Sequence, residues 1–237
     1  MAERQKRTSC NRLKKSSKEV FTVVPKKSLA VATRGGEGDS LRLGVFGASG
    51  TGKSYKAKLL TANLKRLIIF DPLFEYSGRR FQTITRLMAF VHENYTSGFR
   101  AIFAPAYADE VKALDELSRE LLALQQGQNG AKITLLVDEL DLSFPSGIRQ
   151  TQPRHAFGFL CMRGRHFGIN LVGVSQRPSQ VDISFRANLS AVYYFRLAEP
   201  ADIDTALKNL GREWRAEVQG LKDRQYIYKT GGKVFKK

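Results

Sequence analysis

Three adjacent segments near residue 50 constrain the fold more than any other part of the chain. The apolar run Leu41–Phe46 leads into the octapeptide Gly47-Ala-Ser-Gly-Thr-Gly-Lys-Ser54, and a helix-forming stretch, Tyr55–Lys65, follows it. The octapeptide fits the pattern GxxxxGK[ST], in which glycines let the backbone amides turn inward toward phosphate oxygens. A strand, a glycine-rich loop and a helix in this order predict an α/β fold with a phosphate-binding loop after its first strand.

The residue types of this octapeptide predict a site for ATP and Mg²⁺. The amino terminus of the following helix adds a partial positive charge beside the loop. Lys53 is expected to reach the β- and γ-phosphates, and the hydroxyl of Ser54 is expected to ligate Mg²⁺. We therefore predict that the whole octapeptide binds the nucleotide: Gly47, Ala48, Ser49, Gly50, Thr51, Gly52, Lys53 and Ser54.

Beyond the loop, short apolar runs alternate with segments of helical spacing. In Glu110–Gln126, for example, leucines recur every three or four residues, which marks one face of a helix. Continuous apolar strands between helices indicate a mainly parallel sheet with helices on both faces. The segment Gln225–Phe235 predicts a closing hairpin around two glycines. The predicted strands are Leu41–Phe46, Leu67–Phe70, Ala101–Ala104, Ile133–Val137, Ile169–Val174 and Ala191–Phe195.

Positive charge distinguishes both the whole chain and its first 40 residues. The 237 residues include 39 Lys and Arg against 22 Asp and Glu, a net charge of +17. Residues 1–40 alone contain ten basic and four acidic residues and end in a glycine-rich stretch. We predict a flexible basic arm and linker at 1–40, followed by one domain at 41–237. The excess of positive charge indicates a polyanionic partner, either nucleic acid or an anionic surface.

The remaining composition excludes several classes of protein. No apolar run approaches the roughly 18 residues of a membrane-spanning helix, and the basic amino terminus lacks the apolar segment of a signal peptide. The two cysteines, Cys10 and Cys161, cannot form a disulfide framework and fit no metal pattern. We expect an intracellular, reducing environment and no integral membrane segment.

The run Ile133-Thr-Leu-Leu-Val-Asp-Glu-Leu140 is an apolar strand that ends in two acidic residues. We place this strand beside the one that carries the phosphate-binding loop. Asp138 would then hold Mg²⁺, and Glu139 would orient or deprotonate the attacking water. A carboxylate directly after the metal ligand favours hydrolysis over small-molecule kinase chemistry.

Three further positions follow from the expected sheet. Gln176 comes at the carboxyl end of a strand, where ligands of parallel sheets bind, so it either senses the γ-phosphate or, with Ser175, only caps the next element. Arg163 and Arg165 precede that strand, so each is a candidate to enter a neighbouring subunit's site or is only solvated. Asp71 ends another strand that we place beside the loop, where it has a possible supporting role.

These motifs together resemble the FtsK–HerA superfamily of DNA-pumping ATPases. The segment Gly164–Ser179 is similar to the family's Arg-x-x-Gly-Ile followed by a strand that ends in Thr-Gln-Arg-Pro, with Ser175 in place of threonine. Asp71-Pro-Leu-Phe-Glu-Tyr76 is similar to the family's Asp-Pro-x-x-Glu-Tyr. The likeness covers roughly residues 41–210, with the motifs in the family's order, whereas the basic arm has no counterpart.

The resemblance implies a single RecA-like P-loop NTPase domain and a role for each motif residue. Lys53 and Ser54 would bind ATP and Mg²⁺, Asp138 would hold the metal, Glu139 would activate water and Gln176 would be the sensor. Arg165 aligns with the family's arginine before the Gly-Ile pair and is the preferred arginine finger acting across subunits, with Arg163 second.

A chain of this size is similar to the genome-packaging ATPases of tailless icosahedral viruses with an internal membrane. That likeness implies a homo-oligomeric ring, expected to be a hexamer, which drives double-stranded DNA into a preformed capsid. Capsid or vertex proteins would be partners, and the location would be the packaging vertex of the virion or the host cytoplasm during assembly. The alternatives are a phage-assembly or conjugative export ATPase, and a non-hydrolysing DNA- or capsid-binding protein. A helicase with a DExD box is disfavoured, because it needs two such domains.

Overall fold

The computed structural model describes residues 41–105, 109–126 and 131–237, and the strands in these ranges form one nine-stranded sheet. The first seven strands are parallel, and the last two join the sheet through antiparallel pairings, so that the eighth strand runs opposite to the others. The strands are β1 Arg42–Phe46, β2 Arg66–Phe70, β3 Arg79–Phe81, β4 Phe99–Phe103, β5 Ile133–Val137, β6 Ile169–Ser175, β7 Ala191–Phe195, β8 Tyr226–Thr230 and β9 Lys233–Lys236. Their spatial order is β3-β4-β2-β5-β6-β1-β7-β8-β9.

Nine α-helices connect these strands within the described ranges, together with three short 3₁₀ turns. The 3₁₀ turns cover Gly164–Phe167, Pro178–Gln180 and Arg212–Trp214. The α-helices are α1 Lys53–Thr61, α2 Ile84–Glu93, α3 Glu110–Gln126, α4 Leu140–Ser143, α5 Ile148–Thr151, α6 Ala156–Arg163, α7 Ile183–Arg186, α8 Pro200–Leu210 and α9 Arg215–Gln219.

Alternate residues of each strand supply the two cores that hold helices against the sheet. In β2, Leu67 and Ile69 pack on the face covered by α1, whereas Ile68 and Phe70 pack on the face covered by α2, α3 and α6. Successive side chains of a strand point to opposite faces, so an all-apolar strand needs a cover on both sides. The predicted α/β class, with a mainly parallel sheet and helices on both faces, is confirmed.

Most of the predicted elements are present near their expected positions. All six apolar runs form strands, the leucine stripe forms α3 over the predicted residues, and the tail forms the hairpin β8–β9. The first helix begins at Lys53 and ends at Thr61, four residues before the predicted end. The short strand β3 lacks an apolar run and was not predicted. The basic arm predicted at 1–40 lies outside the described residues.

The expected neighbours of β1 were wrong. Strand β6 lies between β1 and β5, and β2 lies beyond β5, so neither Asp138 nor Asp71 follows a strand that pairs with β1. The order of strands along a chain does not fix their order in a parallel sheet, because each helical crossover can pass over a neighbouring strand. Parallel strands still bring all their carboxyl ends to one edge, so these residues remain close to the loop.

No helix in the described ranges combines the length and the apolar composition needed to cross a bilayer.

Gly173 at the centre of β6 allows the helices that follow the site to approach the sheet. A Cβ atom there would lie 2.5 Å from Leu140 Cδ2 and 2.5 Å from Phe185 Cζ. We expect Gly173→Ala to lower the free energy of unfolding by about 1–3 kcal/mol through overpacking, as measured by urea denaturation. Gly164→Ala is the matched control, since its nearest contact would be 3.5 Å away. Equal losses in the two variants would contradict this account.

Candidate functional site

The segment between β1 and α1 has the backbone of a phosphate-binding loop. Gly50 and Gly52 have φ values of 73° and 102°, in the left-handed region that other residues rarely adopt. A Cβ at Gly47 would lie 2.5 Å from Phe195 Cβ, so only glycine fits there. These glycines let the loop turn sharply over the carboxyl end of β1.

The loop is fixed at three points and leaves a series of amides unused. The amides of Gly47 and Ala48 donate to the carbonyls of Ser175 and Arg196, at 3.2 and 2.8 Å. The carbonyl of Thr51 accepts from the amide of Arg224 at 3.1 Å. Within the described part of the chain, the amides of residues 49–52 donate to no acceptor. Such a row of free donors at a helix amino terminus is a site for phosphate oxygens.

Lys53 lies in this loop with its ammonium group turned inward. The side chain is 8% exposed, and its Nζ donates to the carbonyl of Ala48 at 2.9 Å. Burial lowers the pKa of Lys53, while the negative charges of Glu139 and Asp138 oppose this effect. The ammonium group therefore lies near both carboxylates, although they follow a strand two positions away from β1.

Asp138 is a buried carboxylate at the carboxyl end of β5. It is 5% exposed, and its Oδ1 accepts from the amide of Glu139 at 3.1 Å. Burial raises the pKa of Asp138 to about 7; the hydrogen bond from the Glu139 amide lowers it, and neighbouring carboxylates raise it. A desolvated carboxylate among other acidic groups is suited to a cation.

Glu139 is held in a strained backbone conformation directly before α4. Its φ and ψ of 46° and 52° lie in the left-handed region, which costs a non-glycine residue about 1–3 kcal/mol. Its Oε1 accepts from Gln176 Nε2 at 3.0 Å. The structure therefore brings together the predicted water-activating carboxylate and the predicted sensor.

The residues around Gln176 have structural partners. The hydroxyl of Ser175 accepts from the amide of Arg177 at 3.0 Å, and Nε of Arg177 donates to Asp202 at 2.8 Å. Ser175 and Arg177 thus fix the turn after β6, whereas Gln176 is the member that contacts Glu139. Its role as a sensor of the γ-phosphate stays a prediction.

The loop after β2 adds residues that the sequence analysis missed. Asp71 is fully buried and accepts from the amides of Glu75 and Tyr76, both at 2.9 Å. The hydroxyl of Tyr76 is buried next to Asp138. Burial, followed by the charge of Asp138 and a hydrogen-bonding interaction with it, raises the pKa of Tyr76. The Glu75-Tyr76 pair of the Asp-Pro-x-x-Glu-Tyr motif could have indicated these residues, but the sequence analysis assigned a role only to Asp71.

Two more acidic residues belong to the same region and were also missed. Asp141 is 7% exposed, and its charge raises the pKa of Lys53, as does that of Glu75. The pKa of Glu110, at the start of α3, is raised by burial and then by the charge of Glu139. The site is therefore strongly negative around one lysine. Glu110 is more than 25 residues away in sequence, so no local pattern indicated it.

Neither candidate arginine lies at this site. Arg163 ends α6 and Arg165 lies in the turn before β6, so both are at the amino end of a strand whose carboxyl end carries Gln176. Seven residues of strand separate these ends by roughly 23 Å. Both side chains are exposed, and Nε of Arg165 lies 3.4 Å from His166 Nε2. Within one subunit they are therefore remote from the loop, and their role as fingers in a neighbouring subunit stays a prediction.

The donor set fits a magnesium ion held jointly with a nucleotide. In the ranges that the structure describes, no group of three or more His, Cys, Asp and Glu residues is arranged to hold a metal alone. Mg²⁺ in nucleotide sites is typically bound by one or two protein oxygens together with phosphates and water. Ser54 at the start of α1 and the buried carboxylate of Asp138 are the residues here that fit this role.

Comparisons with known proteins agree with this geometry. Residues 37–143 match the family model described as the central domain of the helicase HerA. A probable helicase of Methanocaldococcus jannaschii is 30% identical over 107 residues, which is 44% of this chain and 21% of that protein. The DNA double-strand break repair helicase HerA of Pyrococcus furiosus is 28% identical over 92 residues, covering 38% and 16%. The chain therefore matches only about a fifth of the length of these relatives.

Over the matched residues, this chain thus carries a P-loop NTPase domain of the FtsK–HerA type. Its fold resembles that of the genome-packaging NTPase B204 from Sulfolobus turreted icosahedral virus 2 in complex with ATP-γ-S. The TM-score is 0.66 at 18% identity, over 84% of this chain and 97% of that one. The RecA-like fold and the suspected superfamily are thus confirmed. The match to the HerA domain ends at residue 143, so it includes the loop, Asp71 and the two acids that follow β5, but neither Gln176 nor the arginines.

The buried carboxylate of Asp138 should reduce the stability of this FtsK–HerA domain when no metal is bound. Because the pKa of Asp138 is raised in the folded protein, ionisation of this carboxyl lowers the free energy of unfolding. This loss of stability is absent well below about pH 4, grows toward pH 7 and is constant above that. We expect Asp138→Asn to raise the melting temperature of metal-free protein, with a larger increase at about pH 8 than at about pH 5.

Scanning calorimetry in EDTA at both pH values measures this difference. Asp223→Asn, at an exposed carboxylate far less buried than Asp138, is the control and should show no comparable pH dependence. A stabilisation by Asp138→Asn that is equal at both pH values would contradict the account.

Proposed function

We propose that this protein hydrolyses ATP and uses the reaction to move DNA. The observation that carries the proposal is the hydrogen bond between Glu139 and Gln176 beside a buried Asp138 and the phosphate-binding loop. A loop and a lysine alone would support nucleotide binding. A strained glutamate next to the metal ligand, paired with an amide from the adjacent strand, supports hydrolysis.

The loop and its neighbours would bind the substrate. The free amides of residues 49–52 and the ammonium group of Lys53 would hold the phosphates, after Lys53 exchanges the carbonyl of Ala48 for phosphate oxygens. Ser54 and Asp138 would hold Mg²⁺, which supplies positive charge against the phosphate oxygens. Positioning and charge stabilisation account for most of the catalysis in phosphoryl transfer.

Glu139 and Gln176 would act together on the attacking water. Oε1 of Glu139 now accepts from Gln176, so this oxygen is engaged. When the Gln176 amide donates to a γ-phosphate oxygen instead, Oε1 becomes free to accept a hydrogen bond from water. In this mechanism, the sensor contact with the substrate releases the glutamate.

DNA is the polyanion that we propose as the partner. The net charge of +17 favours a polyanion, and counterion release gives basic proteins affinity for the DNA backbone without reading its sequence. The names of two similar proteins support the choice, since one is a DNA repair helicase and the other a genome-packaging NTPase.

More specifically, we propose a homo-oligomeric ring, with six subunits as the expected number, that packages viral double-stranded DNA into a preformed capsid. Support comes from the sequence motifs and from a shared fold over nearly the whole of the packaging NTPase. The ring would act at the packaging vertex of the virion or in the host cytoplasm during assembly, with capsid or vertex proteins as partners. Electron microscopy with DNA and a non-hydrolysable ATP analogue tests the subunit number and the channel.

Steady-state ATP turnover tests the motor. We expect phosphate release that rises when double-stranded DNA is added. Glu139→Gln should keep nucleotide binding by calorimetry and abolish turnover, because the amide cannot accept the proton or orient the water in the same way.

Glu116→Gln, an exposed substitution on α3, is the matched control and should leave turnover unchanged. Tight ATP binding without turnover by the unmodified protein would favour a nucleotide-stabilised binding protein instead. Retained turnover in Glu139→Gln would remove Glu139 from its role.

Arg165 is proposed to complete the site of the neighbouring subunit. We expect Arg165→Ala to lower the rate of hydrolysis by about 10³-fold while leaving nucleotide affinity nearly unchanged. Mixing Arg165→Ala subunits with Glu139→Gln subunits should restore turnover, because some sites then combine an intact arginine with an intact glutamate.

Arg163→Ala serves as the comparison in the same mixing series and should cost less. If mixing rescues no activity although the two variants assemble together, the arginine does not act across an interface. If Arg163→Ala is inactive and is rescued by mixing while Arg165→Ala stays active, Arg163 is the residue that acts across the interface.

A further inference from the structure

A second cleft lies away from the nucleotide site, between α3 and α6. It has a volume of about 480 Å³. Three arginines line it: Arg119 from α3, Arg149 from α5 and Arg154 from the segment before α6. Apolar side chains, among them Leu122 and Phe159, form its floor. We call it the arginine cleft.

The arginine cleft is positively charged because no carboxylate lines it. Outside the lining, Asp115 accepts from Arg119 at 2.8 Å through one oxygen and from the amide of Ala156 at 2.5 Å through the other. Glu116 and Glu120 are exposed on α3 but are not among the lining residues. Among the described residues, Arg119 is therefore the one lining arginine that pairs with a carboxylate, and that carboxylate is also bonded to a main-chain amide.

The guanidinium groups retain most of their donors. Within the described ranges, the guanidinium group of Arg149 makes two long hydrogen bonds, 3.5 Å to Met162 Sδ and 3.4 Å to the carbonyl of Pro153. Arg154 donates no side-chain hydrogen bond to any residue that the structure describes. Since a guanidinium group carries five N–H donors, both side chains have capacity for an external anion.

Gly158 of α6 allows Arg149 to lie across the helix. A Cβ at Gly158 would come within 3.0 Å of Arg149 Cδ and 3.1 Å of its Nη1. The position of Arg149 over the cleft is therefore supported by the packing of its stem.

The segment 147–154 at the rim has the composition of a phosphate contact. Its residues from 150 to 154 are exposed, and it contains two arginines, two glutamines and one threonine but no acid. Arg, Gln and Thr side chains are among the residues that contact phosphate oxygens of DNA. Because this exposed segment contains two arginines and no carboxylate, its contact with another basic surface would be unfavourable.

This segment is connected to the catalytic pair. Residues 144–146, which follow α4, are joined to residues 180–182 by an isolated bridge between Pro145 and Val181. The amide of Ser146 donates to the carbonyl of Gln180, and the amide of Asp182 to that of Phe144. The two joined strips begin five residues after Glu139 and four residues after Gln176, so the chain connects this segment to the pair over a short distance.

We propose that the arginine cleft and the segment 147–154 bind the phosphate backbone of DNA, an inference that rests on the proposed function. Charge excludes the basic segment 1–40 as the occupant, since it carries ten basic and four acidic residues. The run of neutral donors beside the arginines favours a phosphate backbone over an acidic protein segment. Contacts of this kind carry no sequence information, so the bound DNA can slide.

The test compares Arg149→Gln/Arg154→Gln with a control double variant, Arg86→Gln/Arg212→Gln, which removes the same charge from exposed arginines elsewhere. DNA affinity is measured by fluorescence anisotropy on a double-stranded oligonucleotide over a range of salt. We expect the cleft variant to reduce the log–log salt slope by about 2, since each phosphate contact contributes about 0.9. It should also lose DNA-stimulated ATP turnover and keep the turnover measured without DNA.

The outcomes separate the two proposals. If the unmodified protein binds DNA and its turnover rises with DNA, but the cleft variant matches the control, the inference is overturned and the cleft is free for an acidic protein partner. If the unmodified protein neither binds DNA nor responds to it, both proposals fail. Thermal melting of both variants shows whether each is folded, and Arg149→Lys/Arg154→Lys should restore most of the slope.

Discussion

The parallel alignment of seven strands is the constraint from which the site follows. Parallel strands present all their carboxyl ends at one edge, and β1, β6, β5 and β2 contribute the loop, Gln176, the two acids and Asp71 in that spatial order. Each residue is thus positioned by a strand buried on both faces rather than by a mobile loop. The main-chain ladder sets the spacing between the phosphate-binding lysine and the carboxylates around it.

The same edge of the sheet contains several features that lower the stability of the folded protein. Asp138 is desolvated, Glu139 has a left-handed backbone, and the hydroxyl of Tyr76 is buried beside carboxylates. Each of these costs stability in the absence of ligand, and the apolar cores on both faces compensate for them. Positive charge is distributed differently, since Lys53 is buried within the site, whereas Arg154, Arg163 and Arg165 are exposed at other positions.

How much could be predicted depended on whether the signal was local. The run at Ile133–Val137 and the stripe in α3 specify their own structure, because burial of an apolar face needs only nearby residues. The phosphate-binding loop could be predicted equally well, since its glycines and lysine lie within one octapeptide. The insertion of β6 between β1 and β5, and the approach of Glu110 to Glu139, depend on crossovers between distant segments, which no local pattern encodes.

The left-handed backbone at Glu139 has a consequence for the evolution of such proteins. Glycine or asparagine would relieve that conformation at this position, so a search that rewards heat resistance alone will favour them and discard the carboxylate. Selection for catalytic activity and selection for thermal stability therefore favour different residues at position 139. Lineages of this domain that have given up their chemistry should be recognisable by a small residue there, beside an otherwise intact glycine-rich turn.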